Sequence, residues 1–141
     1  MAATADSVLP RRRDGRYRAG WVMSGLMIAF LLMDAIMKLL ALPVVLETSG
    51  ALGFSGATMA RGLGFLLLAC TVLYALPRTA VLGAILLTGY LGGAIATHVR
   101  VGNPLFSHVL FGVYLGLLLW GGLWLRDPRL RELLPFAATR N

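Results

Sequence analysis

The sequence predicts an all-α membrane protein: an antiparallel bundle of four transmembrane helices with both termini in the cytoplasm. Three observations carry that expectation. Four apolar runs of about 20 residues each match the length of helix that crosses a hydrocarbon core of about 30 Å. Of the 141 residues 58% are hydrophobic and only 13% charged, where soluble proteins carry roughly a quarter. The basic residues, which give a net charge of +7, stand almost wholly in the flanks of the apolar runs, where they act as topology signals.

Residues 1–18 form a basic arm carrying Arg11, Arg12, Arg13, Arg16 and Arg18, with its first ten residues expected to be disordered. The first span runs from about Ala19 to Leu42 and is closed by Pro43. At about 24 residues, with Asp34 and Lys38 inside it, it is too long and too polar for the core of a cleaved signal peptide, which runs about 7 to 15 residues. Gly50, Gly53 and Gly56 read as a loosened loop leading to the second span, Ala57 to Leu76. Pro77 and Arg78 make a tight turn into the third, Thr79 to His98, and Gly102, Asn103 and Pro104 turn that into the fourth, Leu105 to Leu125. Connections this short imply up-and-down neighbours in one domain, residues 19–125. The tail, residues 126–141, includes "RDPRLRELLPF", expected as a short interfacial turn with Leu130, Leu133 and Leu134 toward lipid.

Orientation follows from the positive-inside rule. The arm, Arg78, and the tail's Arg126, Arg129, Arg131 and Arg140 fall on one side, while the other has Arg100 and, at the membrane edge, Arg61. Tyr17, Trp21, Tyr74, Trp120 and Trp124 map to the same inner boundary as an aromatic belt. A multi-pass membrane protein is therefore expected, with the lipid bilayer as its first partner. Because the positive charge is spent on topology, nucleic acid is not expected as a partner. The single cysteine, Cys70, lies in an apolar run and excludes an intrachain disulfide or a CxxC pair.

The remaining charges are the unusual ones. Counted from Ala19 at 1.5 Å per residue, Asp34 lies about 22 Å and Lys38 about 28 Å into the core, both in the outer leaflet. Entering from outside, Arg61 and His108 are about 5 to 6 Å deep, and His98 ends the third span at the outer rim. Four helices thus deliver polar groups to one layer, covered by loops that add Glu47, Arg100 and Asn103, with Thr97 and Ser107 beside the histidines. Ionised groups in hydrocarbon cost about 2.5 to 3.5 kcal/mol, so they face protein or water and pair. Asp34 and Lys38, four apart with the acid first, suit a local ion pair; the alternative pairs Asp34 with Arg61 or a histidine across the bundle and shapes a polar pocket. Arg61 alternatively snorkels to headgroups. The two histidines flank one short turn and are neighbours by construction, but H-x9-H lacks a zinc signature, and no metal is expected. Bis-histidine haem ligation is also poorly served by adjacent hairpin positions. The candidate ligand-binding residues are Asp34, Lys38, Arg61, His98, Arg100 and His108, without an assigned catalytic residue.

Glycine spacing bears on packing. Gly89 with Gly93 and Gly112 with Gly116 form G-x-x-x-G pairs on consecutive helices, expected to bring those helices together inside the bundle, with a homodimer as the alternative. Gly62 and Gly64 are expected to serve the second span likewise. Met23, Met27, Met33 and Met37 read as apolar filling.

From about Met23 to Arg129 the chain resembles the DoxX-like proteins, small four-helix membrane proteins of bacteria. The resemblance rests on "GYLGGAIATHVR" with its short turn and second histidine, on the Asp34 and Lys38 pair, and on "MARGLG" at the start of the second span. DoxX relatives include a subunit associated with thiosulfate:quinone oxidoreduction and membrane partners of oxidative-stress proteins, so the resemblance implies a redox-associated setting without transferring a catalytic residue. Two functions follow as expectations. One is an outward-facing polar pocket that binds a quinone or another amphipathic small molecule, without catalysis by this chain alone. The other is a structural or accessory subunit that docks a membrane or periplasmic protein. A small multidrug transporter fits less well, because Asp34 lies off the membrane centre beside a lysine and the charge bias is strongly one-sided.

Overall fold

Between helices in lipid the hydrophobic effect gives little attraction, so close van der Waals approach and hydrogen bonds must hold the bundle together. The computed structural model describes residues 15–134. In order these form α1 (Gly15–Leu39), α2 (Pro43–Ala51), α3 (Ala57–Ala75), α4 (Ala80–Arg100), a π-helical turn (Leu105–Val109) that runs into α5 (Leu110–Arg126), and α6 (Pro128–Leu133). Four spans are long and apolar enough to cross a membrane: α1, α3, α4, and the π turn with α5. No strand occurs among the described residues. Arg11, Arg12, Arg13 and Arg140, and the expectation of a disordered N-terminal segment, lie outside them.

The four spans form a ring in which α1 packs on α3 and α5, and α4 closes the ring between α3 and α5. Close approaches fix the directions. Gly20 meets the backbone at Arg126 and Gly122 meets Ser24, so α1 and α5 are antiparallel, while Gly64 meets Leu39 and Ala35 on an antiparallel α3. Gly83 of α4 lies against the backbone of Leu73 and Tyr74, and Gly112 of α5 against Ile95 and Leu91. The bundle is therefore up-down-up-down, with two chemically distinct ends. The basic end holds the starts of α1 and α4, the ends of α3 and α5, and α6. The opposite end holds α2 and the π turn.

The glycines that make these approaches are only partly the ones the spacing singles out. Gly89 and Gly93 have open space where a side chain would stand, as do Gly62 and Gly116; the contacts fall instead to Gly20, Gly64, Gly83, Gly112 and Gly122. A lipid-facing helix is apolar all round, so periodicity does not reveal which glycine faces a neighbour.

Two segments depart from their expected form. The run after the first span contains α2, because α1 stops at a left-handed Ala41 (φ 49°) and Pro43 then stands at the first turn of a new helix, where its missing N–H costs nothing. In the tail, Asp127 caps α6 by accepting the Arg129 N–H at 3.0 Å, which turns Leu130 into the core rather than toward lipid; Leu133 remains exposed.

The core runs along Met27, Leu31 and Ala35 of α1, Leu67, Cys70 and Tyr74 of α3, Ala84 and Leu87 of α4, and Leu119 and Leu123 of α5. One buried polar knot ties three helices. The Tyr74 hydroxyl donates to the Leu119 carbonyl at 2.8 Å, so its single proton is committed and Ser24 Oγ, 3.0 Å away, donates to it. Beside it Arg126, 6% exposed, stacks its guanidinium on Trp21 (4.6 Å) and Tyr74 (4.8 Å) and donates through Nη2 to the Tyr74 carbonyl at 2.9 Å. Cation–π contact offsets part of the cost of burying that charge.

Candidate functional site

Each candidate residue near the α2 end has a definite partner. Lys38 Nζ donates to the Asp34 carboxylate one turn earlier on α1, the local ion pair, with both side chains part-buried. It is the sole salt bridge among the described residues. Arg61, exposed at the start of α3, donates from Nε to the Leu39 carbonyl at 3.3 Å, where the last turn of α1 leaves carbonyls without helical partners. Arg100, at the end of α4, does the same for α2: its Nη2 donates to the Leu52 carbonyl at 2.7 Å. Its guanidinium also passes close to Gly53, whose φ of +89° and lack of a Cβ leave it room. Both arginines thus act on helix C-termini, where positive charge is favoured.

Arg100 therefore anchors α2, and Arg100→Ala is expected to free it. An exposed hydrogen bond of this kind is worth about 1 kcal/mol, so the unfolding midpoint should barely move. Amide exchange across residues 43–51 should rise well above wild type while α1 and α3 stay protected. Unchanged exchange would remove Arg100 from this role.

The histidines form a separate group. His98 and His108 face each other with ring centroids 5.6 Å apart and planes inclined by 59°. Gly102, in the left-handed region at φ 71°, reverses the chain between them. Asn103 then donates its backbone N–H to the His98 carbonyl at 3.0 Å and its amide Nδ2–H to His98 Nδ1 at 2.7 Å. Because the amide is the donor, His98 Nδ1 accepts, and the neutral ring carries its proton on Nε2. His108 Nδ1 is held by Ser107 Oγ at 2.7 Å. The spacing H-x9-H shows the pairing of the two rings; the π turn, which widens the start of α5, it does not show.

Two grooves among the described residues are lined by none of these six candidates. The larger groove, about 570 Å³, runs between α4 and α5, lined by Leu91, Gly92 and Ile95 on one side and Gly112, Gly116 and Leu117 on the other. Trp120, Trp124, Leu130 and Leu134 line it toward the basic end. From Gly112 to Trp124 it extends for about 18 Å along the helix. Its lining is almost wholly apolar; Thr88 Oγ1 and Trp120 Nε1 are joined by a 2.8 Å hydrogen bond, and Trp124 Nε1 donates to the Leu134 carbonyl at 3.2 Å. His98 stands one turn beyond Ile95 and His108 one turn before Gly112, so the imidazole pair lies at the groove's α2 end. Sequence reasoning missed this groove because two of its glycines, Gly92 and Gly116, have empty side-chain space, and an empty space leaves no residue to notice.

Among the described residues no three of histidine, cysteine, aspartate and glutamate come together as metal ligands. Cys70 is free and buried. Residues 22–122 match the family model described as the DoxX-like family. No curated protein and no solved structure matches the chain.

Proposed function

The chain belongs to the DoxX-like family, and on that premise we propose that it is a bacterial inner-membrane protein, both termini cytoplasmic, that binds an amphipathic molecule such as a quinone. The observation that carries this reading is the alignment of an apolar groove about 18 Å long with a histidine pair at one end. An isoprenoid or acyl tail fits the glycine-lined channel between α4 and α5. A polar head at the mouth meets His98, whose Nε2–H is a donor suited to a carbonyl oxygen. Asp34 and Lys38 pair with each other, and Arg61 and Arg100 hold the carbonyl ends of α1 and α2, at the same end of the bundle as that mouth. On this reading the chain holds the molecule within a redox system and does not itself transform it.

The test uses purified full-length protein and a prenylated benzoquinone, with a polyprenyl alcohol as the headless control. At a quinone concentration of 100 times its dissociation constant, protection against thermal unfolding should reach about 2.7 kcal/mol. Gly116→Leu, at a position where a Cβ would meet nothing within 4 Å, extends into open groove space and should abolish that protection while leaving the unliganded midpoint in place. His98→Ala should weaken the quinone about tenfold, the effect of one hydrogen bond near 1.4 kcal/mol, and leave the alcohol unaffected. Equal protection in all three proteins would refute the groove.

A second reading, an accessory subunit, is favoured by apolar side chains exposed at the α2 end, Val44 on α2 and Leu105 and Phe106 on the π turn, with Glu47 of α2 also exposed. It predicts a stoichiometric partner in mildly solubilised membranes that Phe106→Asp releases. Recovery of no such partner removes it.

A further inference from the structure

The basic end carries a second groove, about 340 Å³, whose wall includes Tyr17, Trp21, Arg78, Arg126, Asp127 and Arg129. It draws on the start of α1, the α3–α4 turn and the junction of α5 with α6. Three guanidinium groups line it against one carboxylate. That carboxylate is engaged, since Asp127 Oδ1 accepts the Arg129 backbone N–H in capping α6. Arg126 is the informative residue. It is 94% buried, by the 6% exposure that remains, yet its Nε and Nη1 have no hydrogen-bond partner. No carboxylate forms a salt bridge with it among the described residues. Its plane is held between Trp21 and Tyr74, and Nη2 is fixed on the Tyr74 carbonyl. A guanidinium kept rigid and charged, with two of its three nitrogens short of acceptors, is organised for an oxyanion, which can take a charge-assisted N–H bond from it. Arg78 and Arg129, both exposed on the rim, supply further charge, and the edge-on pair of Tyr17 and Trp21 (6.4 Å) belongs to the depth at which lipid phosphates lie.

We propose that this groove is a phosphate-binding site, taking a phosphodiester or phosphate monoester between Arg126 and the rim arginines. The phosphate comes either from the headgroup of an anionic lipid in the adjoining leaflet or from a phosphorylated solute, and the chemistry of the site is the same for both. It is independent of the α4–α5 groove, from which it shares no lining residue.

The test takes the full chain in neutral detergent and compares wild type with Arg78→Gln/Arg129→Gln, both on exposed positions, and with Arg126→Gln. One arm adds dioleoyl phosphatidylglycerol, with dioleoyl phosphatidylcholine as control, and counts retained lipid by native mass spectrometry. The other adds inorganic phosphate and follows the unfolding midpoint. Wild type should retain one phosphatidylglycerol at about tenfold lower lipid concentration than the double variant, if the source is lipid. If the source is a solute, phosphate alone should raise the wild-type midpoint and leave the double variant unmoved. Should Arg126→Gln fail to fold, the double variant still decides. Equal lipid retention in wild type and double variant together with no arginine-dependent response to phosphate would overturn the proposal.

Discussion

Gly83→Ala is expected to be the most damaging small substitution in the transmembrane domain. A Cβ built on Gly83 would stand 2.2 Å from the Tyr74 backbone nitrogen and 2.5 Å from its Cα. Backbone atoms cannot swing aside as a side chain can, so α3 and α4 must separate. Overpacking of this kind costs about 3 kcal/mol at its upper end. The loss extends beyond the hairpin, because Tyr74 also carries the bonds to α1 and α5. Gly89→Ala and Gly93→Ala, on the same helix but with nothing within 4 Å, should leave stability within about 0.5 kcal/mol of wild type. Thermal unfolding in detergent, followed by helical circular dichroism, checks all three. Equal midpoints for the Gly83 and Gly89 variants would place the α3–α4 contact elsewhere.

Tyr74 is the second such position. It is fully buried, and its ring and hydroxyl do separable work. In Tyr74→Phe the Leu119 carbonyl loses its donor and Ser24 Oγ its acceptor, and the cost should stay near the range of about 0.6 to 1.7 kcal/mol measured for bonds between membrane helices. In Tyr74→Ala the core loses an aromatic ring and Arg126 loses one of the two faces it stacks on, and the cost should rise to about 3 to 5 kcal/mol. Adding Ser24→Ala to Tyr74→Phe should then cost less than Ser24→Ala costs in wild type, since the bond between the two hydroxyls is already gone. Strict additivity would mean that the two hydroxyls are not coupled.

Much of the frame is legible in the residues. Four apolar lengths set four spans, the i,i+4 order of Asp34 and Lys38 sets their pairing, and a four-residue connection around Gly102, Asn103 and Pro104 brings His98 beside His108. What is hidden has common physical causes. A proline after a helix reads equally as a stop and as the first turn of the next, so α2 is invisible until Arg100 is seen holding its far end. Lipid-facing and bundle-facing surfaces are both apolar, so the sequence could not separate Gly83 from Gly89, or show that the α4–α5 seam opens into a groove. An arginine at the end of a span carries the signature of a topology signal, which conceals that Arg126 lies buried between two aromatic rings.

The family resemblance and the structure meet at the α4 and α5 helices, which carry both the histidine pair and the groove. The most direct test of the proposed ligand site is photocrosslinking of the full-length protein in lipid with a prenylated quinone bearing a diazirine on its tail, read by peptide mass spectrometry. The account predicts label concentrated on residues 88–95 and 112–124, competed by unlabelled quinone and lost in Gly116→Leu. Label spread evenly over the lipid-facing surfaces of α1, α3, α4 and α5, indifferent to competitor and to the filled groove, would contradict it.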